Sequence, residues 1–304
     1  MNISPMTLIR KTSQNILRGF LFLSLLLIFL SCATVSSGGP ARENPVTFAV
    51  IEAVEPQWQP FSDSIDCFHG RISNPRLEFW ALRVDLAAPN MRIVVKGGTE
   101  TESGTLSVKV SSFVRENNLA AGINALPFDV VSSREGRPIK NIGLVISESR
   151  LISPANPVYD ALVFYKNGQV AIVNQSSIHS IENIENAVGG FFKILDGGEA
   201  AERTQSQKDR HPRSAAGISA NDTFLYLLVI DGRRAGSEGS TEKETAFLLR
   251  TLGCLEGINF DGGGSSALAL RYPDGSVKTA NQPVHNGFPG RERAVAGCLG
   301  IALR

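Results

Sequence analysis

Beyond about residue 75 the chain breaks into short apolar runs, several of them alternating, set between Gly, Pro, Asn and Asp. Such runs read as strands, the alternating ones buried on one face. They fall at Phe79 to Leu86, Arg92 to Lys96, Ala120 to Asn124, Leu144 to Ser147, Ala161 to Tyr165, Gln169 to Val173, Thr223 to Asp231, Gly257 to Asp261, Ser266 to Arg271 and Ala294 to Ala302. Asn167-Gly168 and Asp274-Gly275 carry two-residue hairpin chemistry, so antiparallel neighbours are expected. Helical spacing is clearest at Ser107 to Asn118 and Thr241 to Leu252. In the second, Thr241 and Glu244 form a capping-box pattern, Leu248, Leu252 and Leu255 share a face, and Gly253 ends the run. That helix joins two strands in a βαβ-like unit, which brings Asp231 and Asp261 to one end of the sheet if the strands are parallel. The expected class is α+β, with mixed, largely antiparallel sheets flanked by a few helices in a single compact domain.

The N-terminal pattern is different. No acidic residue precedes Glu43, and Arg10, Lys11 and Arg18 lead into the apolar run Phe20 to Leu30. As a helix this run is too short to cross ~30 Å of hydrocarbon, so it reads as an export signal. It ends at Phe29-Leu30-Ser31-Cys32, which resembles a bacterial lipoprotein processing site. The expected organisation is a signal peptide over 1–31, a polar spacer over 32–44 lipidated at Cys32, and a folded domain over 45–304. The protein would then be exported and lipid-anchored to a bacterial membrane, at its periplasmic face or the cell surface. An ordinary secretory signal with an incidental cysteine is the alternative.

Composition narrows the partners. Lys and Arg number 30 against 29 Asp and Glu, for a net charge of +1, which argues against nucleic-acid binding through a broad basic face. Cys67, Cys254 and Cys298 show no metal-ligand spacing, and no metal is assigned. Cys254 and Cys298 are equally readable as a disulfide or as buried thiols.

The strongest local signal is Asn259-Phe260-Asp261-Gly262-Gly263-Gly264-Ser265-Ser266. Consecutive glycines after a strand permit a sharp turn whose amides can face an anion, beside a fixed carboxylate and two hydroxyls. Asp231-Gly232-Arg233-Arg234 closes another strand, and His211-Pro212-Arg213-Ser214 precedes a short apolar stretch. Arginine grips phosphate or carboxylate with a planar fork. His211 reads first as a solvated loop histidine, and the other histidines form no ligand pattern.

The order of these segments, continued by Arg291-Glu292-Arg293-Ala294-Val295-Ala296, resembles the phosphodiester glycosidase family. Val188-Gly189-Gly190 and Asp196-Gly197-Gly198 resemble it more weakly, and the likeness covers about Phe79 to Arg304. At Gly122-Ile123-Asn124-Ala125-Leu126-Pro127-Phe128-Asp129 the family's Gly-Gly is replaced by Ala125-Leu126, with Pro127 following, which must reshape one wall of the pocket.

The resemblance implies a hydrolase that cleaves a sugar-1-phosphodiester at the glycosyl C1–O bond, giving free sugar and a phosphomonoester. It implies Asp261 or Asp231 as nucleophile or base, with Arg213 and Asn124 as further catalytic residues. Substrate contacts are expected from Arg233, Arg293, Gly262, Gly263, Gly264, Ser265, Ser266, Asp129, Glu292 and Glu244. Glu244 is also explained by capping, and Glu292 by ion pairing to its flanking arginines. Phe128 and Phe192 are core aromatics or sugar-stacking surfaces. No cofactor is expected, although Asp231 or Asp261 could hold a divalent cation. A non-catalytic surface lipoprotein binding a phosphorylated glycan is the second reading, and a pocket filled by Leu126 and Pro127 would favour it. A metal-dependent phosphodiesterase ranks third.

Overall fold

The computed structural model describes residues 51–101 and 104–304; the signal, spacer and Cys32 expectations fall outside them. Among the described residues all strand ladders are antiparallel. An eight-stranded sheet runs in the order Gln59–Ser62, Ile65–Ile72, Leu77–Asp85, Phe224–Ile230, Arg213–Ile218, Glu256–Asn259, Phe192–Asp196 and Glu199–Ala200. A five-stranded sheet runs Arg150–Ser153, Val145–Ser147, Ile184–Gly189, Asp160–Tyr165 and Val170–Asn174. A second five-stranded sheet runs Val277–Thr279, Leu268–Arg271, Ala121–Asn124, Cys298–Leu303 and Met91–Lys96. The sheets do not close into a barrel.

Inner faces of all three sheets feed one apolar cluster that includes Leu82, Ile123, Leu162, Val188, Leu227, Phe260 and Ile301. The alternation has a plain cause: residues directed to this interior are removed from water, while their neighbours face a helix or solvent. Helix α1 (Val110–Glu116) covers the outer face of the second five-stranded sheet through Phe113 and Val114. Helix α2 (Glu242–Leu252) covers the large sheet through Leu248, Leu249 and Leu252. Its capping box is formed, and Gly253 closes it at φ 112°.

The predicted strands are present with ends moved by a residue or two, except at the C-terminus. There the ladder is Cys298–Leu303, and residues 294–297 contribute only isolated bridges and turns. Asn167-Gly168 and Asp274-Gly275 each join paired strands.

The βαβ expectation is met in a modified form. Phe224–Ile230 and Glu256–Asn259 are parallel to one another because each is antiparallel to Arg213–Ile218, which lies between them. That middle strand, Arg-Ser-Ala-Ala-Gly-Ile, is buried throughout and has no alternation, which hid it from pattern reading. Its register carries Arg213, Asp231 and Asp261 to one end of the sheet. Cys254 and Cys298 are free buried thiols in separate apolar clusters and are not paired.

Candidate active site

Asp261 is fixed by its backbone before its side chain is considered. The apolar ring of Phe260 is buried in the core, which ends the strand at a set depth. The Asp261 amide donates to the Ala125 carbonyl at 2.7 Å, and its carbonyl accepts from Asn124 Nδ2 at 2.6 Å. Asn124 is itself held, with Oδ1 accepting from Ser214 Oγ at 2.7 Å and from the Ala267 amide at 3.1 Å. Asn124 therefore supports Asp261 from inside the fold and does not present its carbonyl to a ligand. Burial pushes the Asp261 carboxyl up to about 6, against the opposing effects of the Ser265 hydroxyl, the Arg293 guanidinium and the Gly262 amide. A carboxyl poised there can take or give a proton near neutral pH.

The glycine segment makes room for arginines. Gly263 adopts φ 62°, and a Cβ there would lie 3.1 Å from an Arg233 terminal nitrogen. A Cβ on Gly264 would overlap an Arg293 terminal nitrogen, so any side chain there would displace the guanidinium from this position. The expected triple-amide cradle is not formed: the Gly263 amide is spent on the Pro212 carbonyl at 2.8 Å, and the Gly262 amide serves Asp261.

Arg293 donates to Ser265 Oγ and to His285 Nδ1, each at 3.2 Å. Arg233 is exposed, holds a left-handed φ of 59°, and reaches His211 Nδ1 at 3.4 Å. A non-glycine residue held in this conformation is a local strain that clusters at functional sites. His211 lies inside this group and is not a solvated loop residue. Burial and the neighbouring Arg213 and Arg233 lower its pKa, which favours the neutral ring. Arg213 is buried, donates to the carbonyls of Ser240 and Asp209, and lies 3.7 Å from Glu242. It contributes positive potential more than free donors. The assembly is a cationic cluster around the Asp261 turn, with Glu242 set against Arg213 on its buried side.

Four expected residues stand elsewhere. Asp231 Oδ1 accepts from Asn281 Nδ2, both its oxygens accept from the Gln282 amide, and Oδ2 takes Arg234. Arg234 also binds Glu78, whose carboxyl burial would raise, but hydrogen bonds from Arg234, Arg71 and His69 hold it at about 2. Asp231 is thus a saturated member of a buried ion-pair network, 1% exposed, with no lone pair left for substrate or cation. Glu244 closes the α2 capping box and pairs with Arg210. Glu292 accepts from the Ser111 amide and hydroxyl, capping α1 instead of pairing with its flanking arginines. Asp129 is exposed and accepts from the Lys140 amide. Ser266 lies beside the cluster, 1% exposed, its hydroxyl unpartnered.

Leu126 does not enter the cluster. It is 1% exposed and packs in the interior beside Gly189 and Gly297, whose missing side chains admit it. Phe128 is partly buried against the core, and Phe192 pairs edge-on with Tyr159 under Arg203. Among the described residues no group of three His, Cys, Asp or Glu side chains is arranged to hold a metal ion. A cavity of about 270 Å³ lined by Arg92, Lys96 and Arg150 shares no residue with this cluster. The sequence reading missed His285, which carries no local motif; only its contact with Arg293 reveals it.

The family model for phosphodiester glycosidase matches residues 117–302, and the chain belongs to that family. The match spans the Asn124 strand, Arg213, α2, the glycine turn and Arg293. The zebrafish N-acetylglucosamine-1-phosphodiester alpha-N-acetylglucosaminidase catalytic domain, auto-inhibited by its pro-peptide, is similar in fold, with TM-score 0.63 and 20% identity over 83% of this chain and 88% of that one. A hypothetical protein from Synechocystis is similar at TM-score 0.62 and 14% identity, covering 83% of this chain and 64% of that one. The SPbeta prophage-derived uncharacterized protein YomE of Bacillus subtilis is 33% identical over 151 residues, which is 47% of this chain and 22% of that protein. This chain therefore spans about a fifth of the length of that curated relative.

Proposed function

We propose that the protein is a hydrolase of sugar-1-phosphodiesters, cutting the bond between the anomeric carbon and the phosphate oxygen. The observation that carries this reading is one poised carboxyl, Asp261, against a guanidinium cluster of Arg233 and Arg293, in a chain of this family. Water supplies OH to the anomeric carbon, the C1–O pair passes to the phosphate oxygen, and the products are free sugar and a phosphomonoester. The leaving group's last pKa is only about 6, so it needs positive charge more than a proton. Arg293 and Arg233 supply that charge, and Ser265 orients Asp261. Asp261 acts on the opposite side of the reacting carbon, as base toward water or as nucleophile. Asp231 holds the Asn281 loop and takes no chemical step.

The substrate is an extracytoplasmic glycan or glycoconjugate, and the chain is anchored through lipid on Cys32. Product analysis on a panel of sugar-1-phosphodiesters, with Asp261→Ala as control, tests the chemistry. Free sugar and phosphomonoester that disappear in the control support it; absent turnover with phosphate binding intact favours a glycan-binding lipoprotein. Anomeric retention identifies a nucleophile, and inversion a base. Loss of radiolabelled palmitate on Cys32→Ala tests the anchor.

A further inference from the structure

A chain of contacts leads from Asp261 into the protein and ends on a residue no motif announces. Asp261 is bonded by Ser265, Ser265 Oγ accepts from Arg293 Nη1 at 3.2 Å, and His285 Nδ1 accepts from Arg293 Nε at 3.2 Å. Gly264 closes against the guanidinium, since a Cβ there would overlap it. The plane of Arg293 is therefore set by contacts on three sides, of which His285 is the innermost.

An Arg Nε–H can only donate, so His285 Nδ1 must be an acceptor, and the ring proton must sit on Nε2. His285 is 1% exposed and Nε2 has no partner. A buried donor left unmet calls for an explanation. Here the explanation is that the opposite nitrogen is committed to Arg293. We propose that His285 is a positioning residue, kept neutral in its Nε2–H form to orient the Arg293 guanidinium toward a bound phosphate or sulfate group. The inference rests on reading this cluster as an anion site.

Charged groups facing the ring are Arg293 and Arg291. The Gly263–Ser265 turn and the Phe288–Pro289 strand packed near it contribute none, and the Asp261 carboxylate beyond the turn faces Arg293. Burial and these two arginines move the ring below its ordinary value, consistent with the neutral form. Protonation at Nδ1 would set two donors against each other and release the guanidinium from its anchor.

The test uses the full-length chain labelled with ¹⁵N-histidine and inorganic sulfate as probe, because sulfate keeps its charge from pH 4 to 8. Among the four rings, two-bond ¹H–¹⁵N correlations should show one whose signals vanish in His285→Asn and whose pattern at pH 7 is that of the neutral Nε2–H form. A charged ring or an Nδ1–H tautomer would overturn the proposal. By calorimetry His285→Leu should weaken sulfate about tenfold, the effect of roughly one charge-assisted hydrogen bond. His285→Asn, whose Oδ1 replaces the acceptor, should stay within about threefold. In an Arg293→Lys background His285→Leu should add nothing further, as expected of residues acting through one another. Unchanged affinity in His285→Leu, or equal losses in the Leu and Asn variants, would reject it. If His285→Leu does not fold, the tautomer and the Asn variant decide. None of these readouts needs turnover, so a failure of the proposed hydrolysis leaves them interpretable.

Discussion

Asn124 Nδ2 donates to the backbone carbonyl of Asp261 at 2.6 Å across 137 residues of sequence. This bond ties the end of one sheet to the Asp261 turn at the end of another, and it gives the buried Asn124 a structural role. Asn124→Leu, close in volume, would strand Ser214 Oγ and the Ala267 amide as well. Its expected cost is ~2–4 kcal/mol of stability by urea titration, with catalytic loss exceeding what the unfolded fraction explains.

Asp261→Asn separates chemistry from stability. The folded carboxyl sits at about 6 against 3.8 in the unfolded chain, so the native state binds more protons in that window. The contribution of Asp261 to native stability is therefore full below about pH 4 and is lost as pH rises through 6, by ~3 kcal/mol in all. Asparagine does not titrate, so the variant should outlast the wild type in urea at pH 7.5 and match it near pH 4, while losing about 10³-fold in kcat. Equal pH dependence of the two proteins would contradict the assignment.

Arg233→Ala removes an exposed cation without opening the core. KM for a glycosyl phosphodiester should rise about 10- to 100-fold, the worth of a charged hydrogen bond to phosphate. Thermal unfolding should change little, since exposed side chains contribute weakly to stability.

Gly264→Ala places a methyl where Arg293 lies. An activity loss of about 100-fold is expected, with far-UV circular dichroism unchanged. Gly275→Ala is the control, because its φ is 81° but a Cβ there meets nothing within 4 Å. That control should cost ~1 kcal/mol and leave turnover intact. Similar kinetics in the two variants would mean Arg293 has no part in the reaction.

Asp231→Ala strips the buried network of its anchor. Arg234 and Asn281 would lose their partner, with a loss of ~3–5 kcal/mol by thermal or urea unfolding. The folded fraction should keep KM within about threefold, which distinguishes a scaffold carboxylate from a catalytic one.

Much of the fold was legible because burial imposes period two on strands such as Val170–Asn174, and capping chemistry imposes Thr241 and Glu244 on the start of α2. Arg213–Ile218 is not among the predicted strands because a strand covered on both faces carries no alternation. Ile184–Gly189 and Phe192–Asp196 went unread because glycines and mixed polarity interrupt their patterns.

The same division runs through the site. The local sequence determined the Asp261 turn and its glycines, because a sharp turn beside bulky guanidinium groups excludes side chains wherever it occurs. It also determined the arginine-rich segments and the family they belong to. Tertiary structure decided which carboxylate is free. Asp231 and Asp261 look alike as strand-ending acids, but Asp231 is saturated by the nearby Arg234 together with the distant Asn281 and Gln282, whereas burial beside the distant Arg293 leaves Asp261 poised. The physical reason is that charge and protonation depend on every dipole and ion within a few ångströms, and folding draws those neighbours from distant parts of the chain.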